Sequence, residues 1–446
     1  MSTLKRQAIQ GFSWIVLGYG ISQFIRLISN LVLTRLLVPE IFGLMALMQG
    51  FIIGLSMFSD IGIGPSIIQN KRSDDMPFLN TVWTMQFVRG IALWLMCLII
   101  SWPASIFYQD DRIMWILPII SLTTIIGGLN STAIFTLNKQ LHVDKLITLE
   151  LVCQIISTTV MIICAWVRPS IWALIIGNLV ASLLHMIWSH RLISNYNNSL
   201  HWDKVNAKEV LSFGKWVFFS TATTFLCVQA DNLILGKLFS MDLLGVYIIA
   251  SVFANIPRQI MGQLSNKLIY PIVSAQVHLQ RRVLRSKIIK KRRLILFLVA
   301  PFLAGLIGFG DLIILTLYDE RYATGSWMLP ILAMGLWPRV LSYTIDPVFL
   351  ALGEPKYTAY GNLLVFVVLV TGLPLGFYLM GTVFAIMLIA AKEFLYYMVV
   401  CYGLKKKELT VVGQDIISTL FLIMLVLSTS PVREYFGFDS TFKSIQ

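Results

Sequence analysis

The chain has 446 residues, of which 57% are apolar and only 13% are charged, about half the roughly 25% charge of soluble domains; its mean hydropathy is +0.78. Such a composition excludes a water-soluble enzyme or nucleic-acid-binding domain as the main body, although the net charge of +13 would by itself invite the second. The five cysteines form no CxxC pair, and GxxxxGK[ST], HExxH and GxSxG are all missing, so neither a disulfide framework, a zinc site nor a soluble-enzyme motif is indicated.

Apolar stretches of about 20 residues, each long enough to cross a hydrocarbon core of roughly 30 Å as a helix, recur from end to end. Twelve are expected in chain order: 12–33, 42–68, 80–101, 115–137, 146–167, 171–188, 216–236, 243–263, 294–317, 327–350, 360–379 and 382–402, with a thirteenth over 409–428. No strand-like alternation over about ten residues occurs, so a transmembrane barrel is excluded. The fold class is an all-α polytopic membrane protein with 12 to 13 transmembrane helices. Lys5 and Arg6 precede the first span as in a signal peptide, but the span is too long and lacks a cleavage site, so it is expected to be retained.

Basic residues are distributed asymmetrically. With the N-terminus placed in the cytoplasm, 23 of the 35 Lys and Arg fall on that side and five, namely Arg35, Arg112, Arg168, Lys237 and Arg321, on the other, which is the positive-inside pattern. The densest run, QRRVLRSKIIKKRR at Gln280–Arg293, reads as topology signal and attraction to anionic headgroups. No aromatic or base-reading module accompanies it, so no nucleic-acid partner is expected.

A repeat sets the architecture. SNLVLTRLLVPEIFGL at Ser29–Leu44 returns as DNLILGKLFSMDLLGV at Asp231–Val246, offset by 202 without a gap, aligning Asn30 with Asn232, Arg35 with Lys237, Glu40 with Asp242, Gly43 with Gly245 and Trp14 with Trp216. AIFTLNKQ (Ala133–Gln140) resembles VFLALGEP (Val348–Pro355) at an offset of 215. Six spans separate the copies, so both begin a helix leaving the same side, and the repeat is parallel. Two pseudo-symmetric six-helix lobes follow: an N-lobe over 1–188, a cytoplasmic linker over 189–212, a C-lobe over 213–402, and a basic segment with an accessory helix and tail over 403–446.

Ionisable residues inside spans are the candidates for function. Arg26, Arg89, Arg258 and Arg339 interrupt apolar runs, and a basic side chain at mid-helix costs roughly 2.5 to 3.5 kcal/mol on insertion scales. Two readings stay open. Asp60, Glu150, Asp231 and Asp346 are also intramembrane, and Lys392 adjoins Glu393, so the four carboxylates could neutralise the four arginines as internal pairs. Alternatively the arginines line a wet cationic cavity, where a planar, always-charged guanidinium suits phosphate. SDIGIGPSIIQ (Ser59–Gln69) and ANIPRQIMGQ (Ala254–Gln263) place Asp60 and Arg258 beside helix breakers, an irregularity that membranes tolerate where it lines a cavity or is buried in protein.

The stretch TRLLVPEIFGLMALMQGFIIGLSMFSDIGIGPSIIQNK, Thr34–Lys71, resembles the amino-terminal signature of the polysaccharide transporter (Wzx-type flippase) family, similar to colanic acid exporters and teichuronic acid translocases, within the superfamily that also holds lipid II flippases and multidrug extruders. The resemblance implies a two-lobed transporter that flips undecaprenyl-pyrophosphate-linked oligosaccharide from the cytoplasmic to the periplasmic leaflet by alternating access, in a bacterial inner membrane with its N-terminus cytoplasmic. It implies a lipid-linked oligosaccharide as substrate, a polysaccharide polymerase and chain-length protein as partners, no cofactor or metal, and coupling to H+ or Na+. On this reading Arg26, Arg89, Arg258 and Arg339 contact pyrophosphate, while Asp60 and Asp231 couple ions or orient arginines. Family members usually have fourteen spans, and a fourteenth would start where this chain ends. A multidrug antiporter of the same fold and a membrane enzyme of polysaccharide assembly are the rivals. Excess intramembrane arginine argues against the first, and the lack of a large external loop or clustered catalytic His and Arg against the second.

Overall fold

The computed structural model describes residues 2–60, 62–69, 75–140, 142–193, 196, 198–211, 229–265, 269–274, 276, 279–436 and 438. Among them every regular element is helical, and nine helices are long and apolar enough to cross a membrane, or ten if one bent pair counts as a span. The chain is therefore a multi-pass membrane protein. It divides into two units, Met1–Phe225 and Leu226–Gln446.

In the first unit α1 (Ser2–Leu36), α2 (Pro39–Phe58), α4 (Met76–Tyr108), α8 (Val143–Val167) and α9 (Ile171–Ser189) are the long helices. The sequence-based second span, 42–68, is interrupted: α2 stops at Phe58 and a short α3 (Ile63–Gln69) restarts after Gly62, whose φ of 67° is left-handed. Glycine adopts that backbone without steric cost, and Asp60 Oδ1 accepts the Gly62 N–H at 2.9 Å to close the turn. The expected span 115–137 is likewise three pieces, α5 (Arg112–Ile120), α6 (Leu122–Gly128) and α7 (Ala133–Lys139), bent by 60° between Gly128 and Ala133. Gln86 on α4 fixes this bend by donating to the carbonyls of Gly127, Gly128 and Asn130, each at 3.2 Å. All three carbonyls belong to the turn where the helix breaks, where regular intrahelical pairing ends.

Residues 189–212, expected as a linker, are fastened to this first unit as far as they are described. The Asn198 carboxamide accepts the Ser131 hydroxyl at 2.8 Å and donates to Thr132 at 2.8 Å. The Ser199 and His201 N–H groups reach Asn80 and Thr84. Ala207 and Val210 are buried with Ile63, Ile67, Phe78, Leu79 and Val82 in one apolar cluster. Polar composition therefore hid a packed strap whose apolar residues are spaced by one helical turn.

The second unit contains α10 (Ala230–Leu238), α11 (Met241–Leu264), α12 (Tyr270–Ser274), α13 (Arg281–Leu317), α14 (Gly325–Tyr343), α15 (Asp346–Ala351), α16 (Lys356–Lys406) and α17 (Val412–Tyr435). Its core is α14, most of which is buried where α11, α13 and α16 pack around it. The 51-residue α16 is two antiparallel spans folded at Gly381, whose φ is 78°. A Cβ on Gly376 would meet the Phe384 ring at 2.1 Å, and one on Gly403 would meet Tyr357 at 2.7 Å, so residues equidistant from the fold face one another. The seventh expected span, 216–236, and with it Trp216 and Cys227, lies mostly outside the described residues.

The sequence repeat has a backbone counterpart. α1 ends at Leu36 and α2 starts at Pro39; 202 residues on, α10 ends at Leu238 and α11 starts at Met241. Val38 and Ser240, the joint residues, are both extended, with φ/ψ of −80/154° and −65/156°. Arg35 and Lys237 sit in the last turn before the joint, and Glu40 and Asp242 in the first turn after it. Each charge opposes the partial charge of its helix end, so the basic-to-acidic turn stabilises the joint in both copies.

Candidate functional site

The second unit gathers a group of buried ionisable side chains. It is built on α16, where Lys392 and Glu393 are adjacent and only 4% and 7% exposed. Successive helical residues diverge by about 100°, so the two reach different neighbours. Lys392 Nζ lies 2.9 Å from Asp231 Oδ2 on α10, and Asp231 also accepts the Asn232 N–H at 2.9 Å, with the Tyr247 side chain nearby. Glu393 Oε2 lies 3.7 Å from Arg339 Nε on α14, close enough to attract yet too long for a hydrogen bond.

Arg339 is held by aromatics more than by carboxylates. Its guanidinium carbon sits 4.5 Å from the Tyr343 ring centroid and 4.2 Å from that of Tyr396, within the range in which a ring quadrupole attracts a cation. Its Nε is buried with no hydrogen-bond partner among the described residues. Arg258, on α11 directly after Pro257, lies close to the Tyr343 side chain, as does Arg339. Tyr343 therefore brings two guanidinium groups together. Asp346, at the start of α15, accepts the Tyr396 hydroxyl at 3.1 Å through Oδ2 while its buried Oδ1 has no partner.

Three cations and three carboxylates thus share this region, but unequally. Lys392 and Asp231 form a closed pair, leaving Arg258 and Arg339 near the looser Glu393 and Asp346. An unfilled buried donor on a guanidinium costs stability that a phosphate oxygen could restore. Arg258 and Arg339 are therefore neighbours around Tyr343, and Asp231 faces a lysine.

The first-unit candidates are arranged differently. Arg89 on α4 donates through Nη2 to the Ser56 carbonyl at 2.6 Å and through Nε to the Ser59 hydroxyl at 3.0 Å, so it ties the frayed end of α2 and lies near Asp60. Arg26 is exposed on α1 beside Tyr19.

Four buried charges escaped sequence reading. Arg292 on α13 pairs with Asp415 on α17 and donates to the Leu341 carbonyl at 2.9 Å. Asp415 also accepts the Tyr397 hydroxyl at 2.6 Å. Arg433, near the end of α17, makes two bonds to Asp311 of α13 at 2.6 and 2.7 Å and a third to the Gly308 carbonyl at 2.6 Å. Arg292 was submerged in a basic run read as a topology signal. Asp311, a lone carboxylate within the ninth span, was the legible hint.

Among the described residues no group of His, Cys, Asp and Glu could hold a metal ion. Cys97 and Cys153 are buried and unbridged.

A family profile described as "Polysaccharide biosynthesis protein" matches residues 32–326. The chain is 21% identical over 81% of its length to the teichuronic acid biosynthesis protein TuaB of Bacillus subtilis. It is also 21% identical over 72% of its length to the lipopolysaccharide biosynthesis protein WzxC of Escherichia coli, and 20% identical over 72% to the succinoglycan biosynthesis transport protein ExoT of Rhizobium meliloti. The matched parts cover 74%, 65% and 64% of those proteins. In fold the chain is similar to the lipid II flippase MurJ in an inward closed conformation, with a TM-score of 0.69 at 13% identity over 94% of this chain and 98% of that one. An inward-facing multidrug resistance MATE transporter of the MOP superfamily aligns at 0.64, also at 13% identity, over 92% and 96%. At such identities the likeness concerns the two-lobed helical fold alone.

Proposed function

The chain belongs to the polysaccharide biosynthesis protein family, and on that premise we propose that it is a flippase carrying undecaprenyl-pyrophosphate-linked oligosaccharide from the cytoplasmic to the periplasmic leaflet by alternating access. The observation that carries this reading is the family match over residues 32–326, supported by relatives named for the biosynthesis or transport of several different surface polysaccharides. The protein acts as a transporter and not an enzyme, sits in a bacterial inner membrane with its N-terminus cytoplasmic, and hands its substrate to a polymerase and chain-length protein.

Within this reading Arg258 and Arg339 are the pyrophosphate contacts of the second unit. Burial between aromatic rings weakens competition from water, and the unfilled Arg339 Nε offers a charge-assisted donor to a phosphate oxygen. Arg26 and Arg89 are the phosphate contacts of the first unit in this reading, Arg89 by exchanging its Ser56 and Ser59 contacts for phosphate. Asp60 and Asp231 carry the coupling ion, H+ or Na+. For Asp231 this requires release of Lys392, which would make coupling steep.

Deletion of the gene should leave lipid-linked repeat units on the cytoplasmic leaflet, and the wild-type gene should clear them. Arg258→Ala and Arg339→Ala should fail to do so at normal expression. Full rescue by both variants would remove the site assignment while leaving the family intact; no accumulation in the deletion strain would remove the flippase reading itself.

A further inference from the structure

The 37-residue α13 is about 55 Å long at 1.5 Å per residue, well beyond a hydrocarbon core of roughly 30 Å. Its first part, Arg281–Arg293, is amphipathic: Leu284, Ile288 and Arg292 are buried at four-residue spacing, while Arg282, Arg285, Lys287, Lys290, Lys291 and Arg293 are exposed. Beside this segment lies a cavity of about 540 Å³, within the size range of small-molecule sites, between α13, the short α12 and Thr344.

The walls and rim of this cavity differ in chemistry. Leu284, Ile288 and Ile295 of α13 and Val273 of α12 give it aliphatic walls, and Lys287, Lys290 and Lys291 stand at its rim. Among the described residues none of these three lysines takes part in an ion pair. Arg292, at the floor, is already neutralised by Asp415. An occupant must therefore bring its own negative charge for the rim and apolar surface for the walls.

We propose that this cavity is a binding site for one anionic phospholipid of the surrounding membrane, its phosphate held by Lys287, Lys290 and Lys291 and the upper part of its acyl chains resting on Ile288 and Ile295. A soluble phosphate would leave the aliphatic walls wet, and a zwitterionic lipid would leave the lysines uncompensated. Because Arg292 on the same segment is bonded to α17 through Asp415, to α14 through Leu341 and to Thr344 just beyond it, an occupied cavity braces a junction of three helices. The bound lipid is thus a stabilising ligand of the second unit. The inference needs only a membrane-embedded chain and stands apart from the substrate proposed above.

The full chain, purified in mild detergent, would be titrated with dioleoyl phosphatidylglycerol or dioleoyl phosphatidylcholine, followed by native mass spectrometry and thermal unfolding. One phosphatidylglycerol should be retained with about tenfold or greater preference, since a lysine near an anionic lipid is worth about fivefold. The Lys287→Gln/Lys290→Gln/Lys291→Gln variant should lose that preference and the accompanying rise in Tm. The Arg282→Gln/Arg285→Gln variant, which removes exposed charge from the same helix outside the cavity, should keep both. Should the triple variant fail to fold, Lys290→Gln alone should show a partial loss. Equal loss in both multiple variants would reduce the effect to diffuse surface charge. Displacement by inorganic phosphate, or by undecaprenyl phosphate at lower concentration than phosphatidylglycerol, would assign the site to a different ligand and overturn the proposal.

Discussion

Removing either member of the Lys392–Asp231 pair should reveal how the second unit tolerates charge in its interior. At 2.9 Å two unit charges attract by about 6 kcal/mol at an effective dielectric of about 20, much of which offsets the loss of hydration. Asp231→Asn leaves Lys392 buried without a counterion and should cost about 3 to 5 kcal/mol. Lys392→Met should cost less, about 2 to 3 kcal/mol, because Asp231 keeps the Asn232 N–H as a donor. The double variant leaves no stranded charge and should recover about 2 to 3 kcal/mol relative to the sum of the singles. Unfolding in mixed micelles with increasing sodium dodecyl sulfate, followed by tryptophan fluorescence, measures all four proteins. Strict additivity within about 0.5 kcal/mol would show that the two side chains do not act as a pair, and the geometric argument would fall with it.

Arg339→Lys keeps the charge but loses the planar face stacked on Tyr343 and Tyr396; transport should fall about tenfold or more while Tm changes little, and an unchanged flipping rate in reconstituted vesicles would contradict the proposed contact. Gly335→Ala should destabilise by about 2 to 3 kcal/mol, because its Cβ would meet the Ala390 backbone at 2.4 Å. Gly305→Ala, with nothing within 4 Å, should instead stabilise by about 0.5 to 1 kcal/mol; unfolding curves of the two variants should move in opposite directions. Glu354, outside the spans, is held down to about 2 by hydrogen bonds from Lys356 and Lys407. A carboxylate depressed in the folded state stabilises above its ordinary value and loses that contribution as pH falls toward the folded value. The advantage of wild type over Glu354→Gln should therefore be constant above about pH 5 and shrink between about 4.5 and 2, measured as Tm against pH.

Much of the fold was legible because a hydrocarbon solvent leaves a coarse imprint: long apolar runs, basic residues gathered on alternate loops, and a joint written twice. The break at Gly62 falls in a stretch whose glycines and proline were read as helix breakers, and the fold at Gly381 falls between the expected spans 360–379 and 382–402. The run 115–137 was not legible as three helices, since its bend depends on Gln86 from another helix bonding the carbonyls at the break. Pairing was hidden most. Lys392 is 161 residues from Asp231 and Arg292 is 123 from Asp415, and composition carries no record of such distances. Sequence marked which charges needed company; only packing chose Tyr343 as the residue shared by Arg258 and Arg339.

Helix α17, read from sequence as an accessory, is riveted near both ends, by Arg292 with Asp415 and by Arg433 with Asp311. Each rivet has its other half on α13, so cutting the chain ahead of Val412 would strand a guanidinium and a carboxylate in a greasy interior with nothing to answer them. A shortened version would first have to rewrite positions 292 and 311 as apolar residues. In this protein the length of the polypeptide and the chemistry of a helix more than a hundred residues upstream can change only in concert.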